Sequence, residues 1–302
     1  MSVDIFLIGS GGQLGWEVER QIPSTLSVQA LARAQFDITN REQVLRGIAG
    51  AAPKVVVNAA AYTAVDQAET ERSEAFLINR DGPAYLAEAC NLHGATLIHV
   101  STDYVFDGAK AEPYTEDDAT TPLSVYGESK LAGELAVRAG CPRHVIFRTA
   151  WVYGVQGKNF VKTMLRLGGL HDQLRIVNDQ HGSPTFARDL AKAVIFVAER
   201  MTNNVVPSNG FGTFHCAGGG VTTWHRFARR IFDICKSKGM PVPEIEGVTT
   251  AQYPTPAPRP PNSVLDCNKV ARVYGIAMRS WEEALAEMLN ETLGADVSAG
   301  DA

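Results

Sequence analysis

The feature that most constrains the fold is a series of short apolar runs, rich in β-branched residues, separated by helix-length segments. Each run is continuously apolar, which is typical of strands buried on both faces of a parallel sheet. Strand, helix and strand in repetition predict a doubly wound α/β domain. The predicted strands of this domain are Val3–Gly9, Val28–Ala32, Lys54–Asn58, Thr96–Thr102 and His144–Thr149.

A glycine-rich loop follows the first predicted strand and opens a helix. Gly9, Gly12 and Gly15 have G-x-x-G-x-x-G spacing, with Gln13 and Leu14 between the last two. In dinucleotide-binding folds such glycines permit a tight turn, a close approach of backbone to a pyrophosphate, and helix–strand packing. The N–H groups at the helix N-terminus then face the phosphates. This position in the chain predicts a Rossmann-like, dinucleotide-binding domain.

The second predicted strand bears on the choice of cofactor. Folds that select NAD place an acid about 20 residues after the loop, and this strand has none. Arg33 follows the strand and can face a 2′-phosphate, so we expect NADPH, with NADH left open. The alternative is that Arg33 is simply solvated. Asp37 can either bind adenine or cap a helix that begins near Asn40.

Tyr126 and Lys130 stand at i and i+4, so on a helix their side chains share one face. A free tyrosine has a pKa near 10, and an adjacent ammonium group is expected to lower that pKa. Thr102 closes the fourth predicted strand, at the edge where open α/β sheets bind ligands. Its hydroxyl can bind the same substrate oxygen as Tyr126. The three residues predict hydride transfer at a carbonyl group beside a dinucleotide.

After about residue 150 the pattern loosens and predicts a smaller, discontinuous C-terminal α/β domain for the substrate. Further strands are predicted at Leu174–Asn178 and Gly212–Cys216, and a terminal helix at Ser280–Leu293. We assign residues 1–150 and about 172–200 to the dinucleotide-binding domain. Residues from about 151 to 171 and from 201 to 302 form the predicted substrate domain.

The segment Tyr253–Ser263 contains five prolines in eleven residues. Its composition favours an exposed linker. The alternative is a stiff loop that places Arg259 over a ligand.

Composition excludes several other classes of protein. Of the 302 residues, 45% are hydrophobic and 20% are charged, which is the composition of a globular chain. The formal net charge of −5 argues against a nucleic-acid or anionic-membrane partner. No run approaches the roughly 18 apolar residues of a membrane span. No basic region precedes the first apolar run, so we expect no signal peptide.

The five cysteines are far apart and form no CxxC pair. We therefore expect reduced, buried thiols and a cytoplasmic protein. His171 and His181 have no cysteine or acid at metal-ligand spacing, and we expect no required metal. We assign no catalytic role to Asn79. The tryptophans interpreted as packing residues are Trp16, Trp224 and Trp281.

Taken together, these motifs resemble those of the extended short-chain dehydrogenase/reductases. Over nearly the whole chain the resemblance is to one family among them, the dTDP-4-dehydrorhamnose reductases. The matching segments are the glycine loop, Asn58–Thr63, Ser101–Gly108, Tyr126–Lys130, Arg148–Gly154, Asp179–Thr185 and Arg259–Ser263.

The resemblance implies a role for each matching position. Tyr126 would donate the proton and Lys130 would hold the nicotinamide ribose. Arg259 would meet the nucleotide diphosphate, which reverses the preference for a linker. The other cofactor contacts would be Gly12, Gln13 and Leu14 at the phosphates, Asp37 and Ile38 at the adenine, and Ala61, Tyr62 and Thr63 along the cofactor. The sugar would contact Thr102, Asp103 and Trp151.

The reaction implied by the resemblance is reduction of the C4 ketone of dTDP-4-dehydro-β-L-rhamnose to dTDP-β-L-rhamnose, the final step of dTDP-L-rhamnose biosynthesis. The partner would be this dTDP-sugar, with no nucleic acid and no membrane. Some members of the family are metal-bridged dimers that use acidic side chains. Here the corresponding helix begins Arg188-Asp189, so a homodimer is left open and no metal is expected.

Two other classes of function stay open from the sequence. One is another nucleotide-sugar enzyme. A dehydratase of this superfamily would carry an acid two residues after Thr102, where this chain has Tyr104. An epimerase would retain its NAD, whereas a reductase consumes its reduced cofactor. The other class is a non-catalytic regulatory subunit of a methionine adenosyltransferase.

Overall fold

A computed structural model describes residues 2–298, and the side chains of residues 2–294. All seven predicted strands are confirmed, each within two residues of its predicted bounds. In chain order the strands are β1 Ile5–Ile8, β2 Val28–Leu31, β3 Val55–Asn58, β4 Thr96–Thr102, β5 His144–Thr149, β6 Val152–Tyr153, β7 Gln173–Val177, β8 His181–Gly182, β9 Thr185–Phe186, β10 Gly212–His215, β11 Thr222–Thr223 and β12 Glu244–Val248. The α-helices are α1 Gln13–Gln21, α2 Arg41–Ala51, α3 Val65–Ala68, α4 Arg72–Phe76, α5 Gly82–His93, α6 Val125–Gly140, α7 Phe160–Gly168, α8 Ala187–Thr202, α9 Trp224–Ser237, α10 Asn268–Tyr274 and α11 Trp281–Ser298.

The main sheet has six parallel strands in the order β10-β5-β4-β3-β1-β2, and both of its faces are buried. Along β1, Ile5 and Leu7 face a core shared with α1 and α8. Phe6 and Ile8 face the opposite core, shared with α2 and α5. Because successive side chains of a strand point to opposite faces, a continuously apolar strand needs helices on both sides. The predicted doubly wound α/β fold is confirmed.

A second lobe is built on a small parallel sheet in which β7 pairs with β12. The helices α7, α9 and α11 surround a core that includes Met164, Phe227 and Leu285. In the part of the chain that the structure describes, no helix is both long and apolar enough to cross a membrane.

The predicted domain boundaries assign two strands, β7 and β10, to the wrong sheet. The range 201–302 was assigned to the substrate domain, yet β10 pairs with β5 in the main sheet. The range 172–200 was assigned to the dinucleotide-binding domain, yet β7 pairs with β12. An apolar run predicts a buried strand but carries no information about which sheet it joins. The division into two domains stays a prediction, with these two strands exchanged.

The helical segment that runs from α4 to α5 is interrupted by a π-helical turn, Leu77–Asp81. Asn79 lies within this turn. Its side-chain Oδ1 accepts a hydrogen bond from the Tyr62 N–H at 2.8 Å, and its Nδ2 donates to the Tyr62 carbonyl at 3.0 Å. The same Nδ2 donates to Ser129 on α6. The turn therefore joins the loop after β3 to the helix that carries Tyr126.

A buried ion pair attaches α6 to the sheet. The guanidinium of Arg148 on β5 donates from Nε and Nη2 to the two carboxylate oxygens of Glu134, each at 2.8 Å. The Ser101 hydroxyl on β4 donates to the same carboxylate at 2.6 Å, and Arg138 contributes a further hydrogen bond. Buried charges are stable only when they are paired and hydrogen-bonded in this way.

Removal of one partner of this pair is expected to destabilise the fold strongly. Arg148→Leu should lower the free energy of unfolding by about 3 to 5 kcal/mol, because Glu134 would remain buried with less compensation. The matched control is Arg175→Leu, which breaks the exposed Arg175–Glu246 pair and should cost less than about 1 kcal/mol. Urea denaturation followed by circular dichroism measures both, and equal losses would contradict the expectation.

Candidate active site

The glycine loop between β1 and α1 has no room for side chains at two positions. Gly9 has a φ of +85°, in the left-handed region, and a Cβ there would lie 2.7 Å from the Ala60 nitrogen. A Cβ at Gly15 would overlap the Gly9 carbonyl oxygen. Gly12 is the N-cap of α1, and no side chain caps the helix. The first N–H groups of the helix are thus available to an anion, which fits a bound pyrophosphate.

A cavity of about 400 Å³ lies between this loop and the end of β2. Arg33, Asp37 and Ile38 all line it, together with Gly9 and Gly12. The Arg33 side chain is 83% exposed, and its Nη2 lies 3.4 Å from Oε1 of Glu74. An ion pair this exposed to solvent is weak. The Arg33 guanidinium can therefore bind another anion at this cavity.

The two alternatives for Asp37 are decided by the contacts around α2. The N-cap is Asn40, whose Oδ1 accepts a hydrogen bond from the Gln43 N–H at 3.0 Å. Asp37 accepts instead from the N–H and hydroxyl of Thr39, at 2.9 and 2.8 Å. The capping alternative for Asp37 is wrong, and its carboxylate lies at the cavity wall.

A second cavity, of about 670 Å³, shares Gly11, Gly12, Ala59 and Ala61 with the first. The two form one cleft across the carboxyl ends of the central strands, where open α/β sheets bind ligands. Most of the predicted site residues line this second cavity: Gly12, Gln13, Leu14, Ala61, Thr63, Thr102, Asp103, Tyr126, Lys130 and Trp151.

Tyr126 lies in the first turn of α6, which begins after the N-cap Ser124. Burial raises the pKa of Tyr126 to about 12, although the Thr102 hydroxyl partly opposes that rise. The Lys130 ammonium group donates to the Val100 carbonyl at 2.7 Å, and burial lowers its pKa to about 8. The prediction that Lys130 lowers the pKa of Tyr126 is wrong here, because desolvation of the phenol dominates.

Thr102 and Asp103 form a short hydrogen-bonded unit at the end of β4. The Thr102 hydroxyl donates to Oδ1 of Asp103 at 2.9 Å and accepts from the Tyr104 N–H at 3.2 Å. Asp103 is only 2% exposed, and burial raises the pKa of its carboxyl to about 6. These hydrogen bonds hold the Thr102 hydroxyl at the end of β4, in the cleft that Tyr126 also lines.

Trp151 follows β5 and has a neighbour that the sequence did not reveal. Its indole ring stacks on that of Trp224, with ring centroids 3.5 Å apart and planes at 6°. Both rings line the cleft. Trp224 was predicted to be a packing residue, and nothing in its sequence neighbourhood indicates a cleft position. It reaches the cleft as the first residue after β11, which pairs with β8.

Three predicted site residues lie outside both cavity linings: Gly15, Tyr62 and Arg259. Tyr62 directs its hydroxyl to Glu71, to which it donates at 2.6 Å. Arg259 forms two hydrogen bonds with the Asp66 carboxylate, at 3.0 and 2.9 Å. The linker interpretation of Tyr253–Ser263 is wrong, because this segment packs on α3 through that ion pair.

Arg188, the second residue of α8, is a basic residue surrounded by acidic ones. The Arg188 guanidinium contacts Glu17 of α1 at 3.3 Å and Glu287 and Glu291 of α11 at 3.0 and 2.6 Å. Among the described residues, no group of three or more His, Cys, Asp or Glu side chains could hold a metal ion. In this chain a guanidinium lies where the three carboxylates meet.

Residues 3–293 match the family described as the RmlD substrate binding domain. A dTDP-4-dehydrorhamnose reductase from Sinorhizobium fredii is 45% identical over 281 residues, covering 93% of this chain and 95% of that protein. A protein of the same name from Salmonella typhimurium is 42% identical over 295 residues, covering 96% of this chain and 98% of that protein.

A solved structure gives the same relationship. The dTDP-4-dehydrorhamnose reductase of Bacillus anthracis, in complex with NADP, has a TM-score of 0.89 and 36% identity, over 97% of this chain and 100% of that chain. The glycine loop, the cleft and the match along almost the whole sequence lead to one conclusion. This chain belongs to the RmlD substrate binding domain family.

Proposed function

We propose that this chain reduces the C4 ketone of dTDP-4-dehydro-β-L-rhamnose to dTDP-β-L-rhamnose, as the final step of dTDP-L-rhamnose biosynthesis. The observation that carries the proposal is that Thr102, Tyr126 and Lys130 line the cleft onto which the glycine loop opens. A carbonyl reductase needs a cofactor site, a proton donor and hydrogen-bond donors around one point. The names of the relatives from Sinorhizobium fredii and Salmonella typhimurium support this substrate.

The cofactor we propose is NADPH, with NADH as an alternative that the exposed position of Arg33 leaves open. When bound, it would supply the hydride that the ketone carbon accepts. Support comes from the glycine loop, where side chains are sterically excluded, and from the relative solved with NADP. The residues that would hold it are Gly9, Gly12, Gln13, Leu14, Gly15, Arg33, Asp37, Ile38, Ala61, Tyr62, Thr63, Tyr126 and Lys130.

Tyr126 would donate the proton. With a pKa of about 12, its phenol stays protonated at neutral pH until negative charge develops on the ketone oxygen. The proton would then pass from the phenol to that oxygen, while the Thr102 hydroxyl, which in the structure donates to Asp103, would turn to donate its hydrogen bond to the same oxygen. The Lys130 ammonium group, held by the Val100 carbonyl, would stabilise the resulting phenolate until solvent restores its proton.

The sugar nucleotide would lie on the other wall of the cleft. Trp151 would pack on the sugar ring, and Asp103 would contact it beside Thr102. Arg259 would meet the diphosphate. Because its guanidinium now binds Asp66 with two hydrogen bonds, the diphosphate would have to compete with that carboxylate or share the guanidinium with it.

The proposal includes a location and a partner. The five cysteines are all free thiols, which favours a reducing compartment such as the cytoplasm. The partner that the reaction requires is a dTDP-sugar. A homodimer stays a prediction, which sedimentation of the purified protein would test.

The first experiment is to follow the loss of reduced nicotinamide absorbance with purified protein and dTDP-4-dehydro-β-L-rhamnose. NADPH and NADH are compared in parallel, and the ratio of rates decides the cofactor. If the protein binds cofactor but oxidises neither, the reductase proposal is contradicted. A stoichiometric methionine adenosyltransferase partner in a pull-down would then favour the regulatory-subunit class.

Tyr126→Phe should lower kcat by about 100-fold or more, because the proton donor is lost. The dissociation constant for NADPH, measured by fluorescence titration, should stay unchanged. Tyr274→Phe is the matched control, because that hydroxyl is buried against Gly210 away from the cleft. Turnover of Tyr126→Phe near the wild-type value would contradict the assigned role.

The pH dependence of kcat/KM should report the titration of the Lys130 ammonium group. Its pKa is lowered to about 8, so the ammonium form predominates below that pH and is lost above it. We therefore expect kcat/KM to fall as the pH rises through about 8. Lys130→Arg should move this limb to higher pH, because a guanidinium stays charged. A profile that is flat through this range would be evidence against a role for the ammonium charge.

Arg33→Ala should raise the KM for NADPH about tenfold while changing that for NADH less than about twofold, since only NADPH carries the 2′-phosphate. Arg46→Ala is the control, because Arg46 is exposed on α2 and pairs with Glu42. Steady-state kinetics with each cofactor measures the effect. Equal changes for the two cofactors would remove Arg33 from the 2′-phosphate site.

A further inference from the structure

Trp151 has a backbone conformation that bulky residues rarely adopt. Its φ is +48°, in the left-handed region, where an L side chain crowds the following carbonyl group. The Trp151 carbonyl accepts a hydrogen bond from the Thr185 N–H at 3.2 Å. Such a conformation persists only where the surroundings fix it. The contacts of the indole ring therefore decide how this wall of the cleft is held.

One of these contacts is a stack with Trp224. The two indoles lie face to face, with centroids 3.5 Å apart and planes at 6°. Trp224 is the first residue of α9, and Phe160, the first residue of α7, packs on it with centroids 4.6 Å apart. Trp224 thus connects the indole at the cleft to the core of the second lobe.

Gly182 supports the same ring from the neighbouring strand. A Cβ at this position would overlap the Trp151 ring atoms, so the backbone of β8 lies directly against the indole. Gly182 is the register partner of Thr222 on β11, two residues before Trp224. One two-stranded ribbon therefore places both supports of Trp151.

We propose that Trp224 is a positioning residue of this site, which stacks on Trp151 and fixes the indole surface that receives the sugar ring. This role rests on the proposed function, in which Trp151 contacts the sugar. Trp224 acts through Trp151, so its removal affects sugar binding more than cofactor binding or the chemical step.

The test is a double-mutant cycle in the full-length protein, with dTDP-4-dehydro-β-L-rhamnose varied at saturating NADPH. Trp224→Ala should raise the KM for the sugar nucleotide about tenfold and change kcat and the KM for NADPH by less than about threefold. Trp224→Phe, which keeps a flat ring, should recover most of this loss. In the Trp151→Ala background, Trp224→Ala should add less than about twofold, because residues that act through one contact are not additive.

Circular dichroism gives a readout independent of activity. A stacked indole pair produces an exciton couplet, which should disappear in both Trp224→Ala and Trp151→Ala. The matched control is Trp281→Phe, a buried tryptophan of the second lobe that meets Phe227 edge to face outside the cleft. It should leave both the couplet and the KM for the sugar nucleotide unchanged. Trp224→Leu keeps apolar volume without the stack and replaces Trp224→Ala if that variant fails to fold.

The outcomes separate this role from the proposed function. If the wild type reduces the keto sugar and the effects of Trp151→Ala and Trp224→Ala multiply, Trp224 acts independently and the positioning role is overturned. It is also overturned if the couplet is lost and the KM does not change. A wild-type protein that binds NADPH but does not reduce the keto sugar overturns the proposed function instead.

Discussion

The geometry of the site depends on the hydrogen bonds that the Glu134 carboxylate accepts from the sheet. This carboxylate is fully buried and accepts hydrogen bonds from Ser101 on β4 and from Arg148 on β5. An uncompensated charge in this position would be prohibitive, so α6 can neither rotate nor slide without breaking the pair. Lys130 lies one turn before Glu134 on the same helix, and Thr102 follows Ser101 on the same strand. The ion pair therefore sets the relative position of Lys130 and Thr102 in the cleft.

The sheet then determines where the ligands can meet. Parallel strands with both faces covered leave only their ends accessible, and the carboxyl ends carry the glycine loop and Thr102. The second lobe contributes the facing wall through Trp151 and Trp224. Because that wall is built from residues on either side of β10, which belongs to the main sheet, the two lobes cannot be separated by a single cut of the chain.

The central strands, the glycine loop and the position of Tyr126 and Lys130 on one helix could be predicted from the sequence, because these depend on local patterns. Continuous apolarity marks a buried strand, and glycine spacing marks a phosphate turn. The sequence was insufficient where the outcome depends on long-range packing. The sheet that β10 joins, the stack of Trp224 on Trp151 and the carbonyl that binds Lys130 have no local signature. The single extra residue of the π-helical turn at Asn79 is likewise invisible to an average period of 3.6 residues.

The Asn79 amide has a consequence for how this chain can vary. It binds both the N–H and the carbonyl of Tyr62, as a neighbouring β-strand would, so its contact with that residue involves only the main chain. Any residue type with a suitable backbone satisfies this contact at position 62, whereas position 79 needs a donor and an acceptor on a short side chain. Aspartate has the right shape but, when ionised, no donor. Substitutions at position 62 therefore leave this contact intact, whereas most substitutions of Asn79 would remove it.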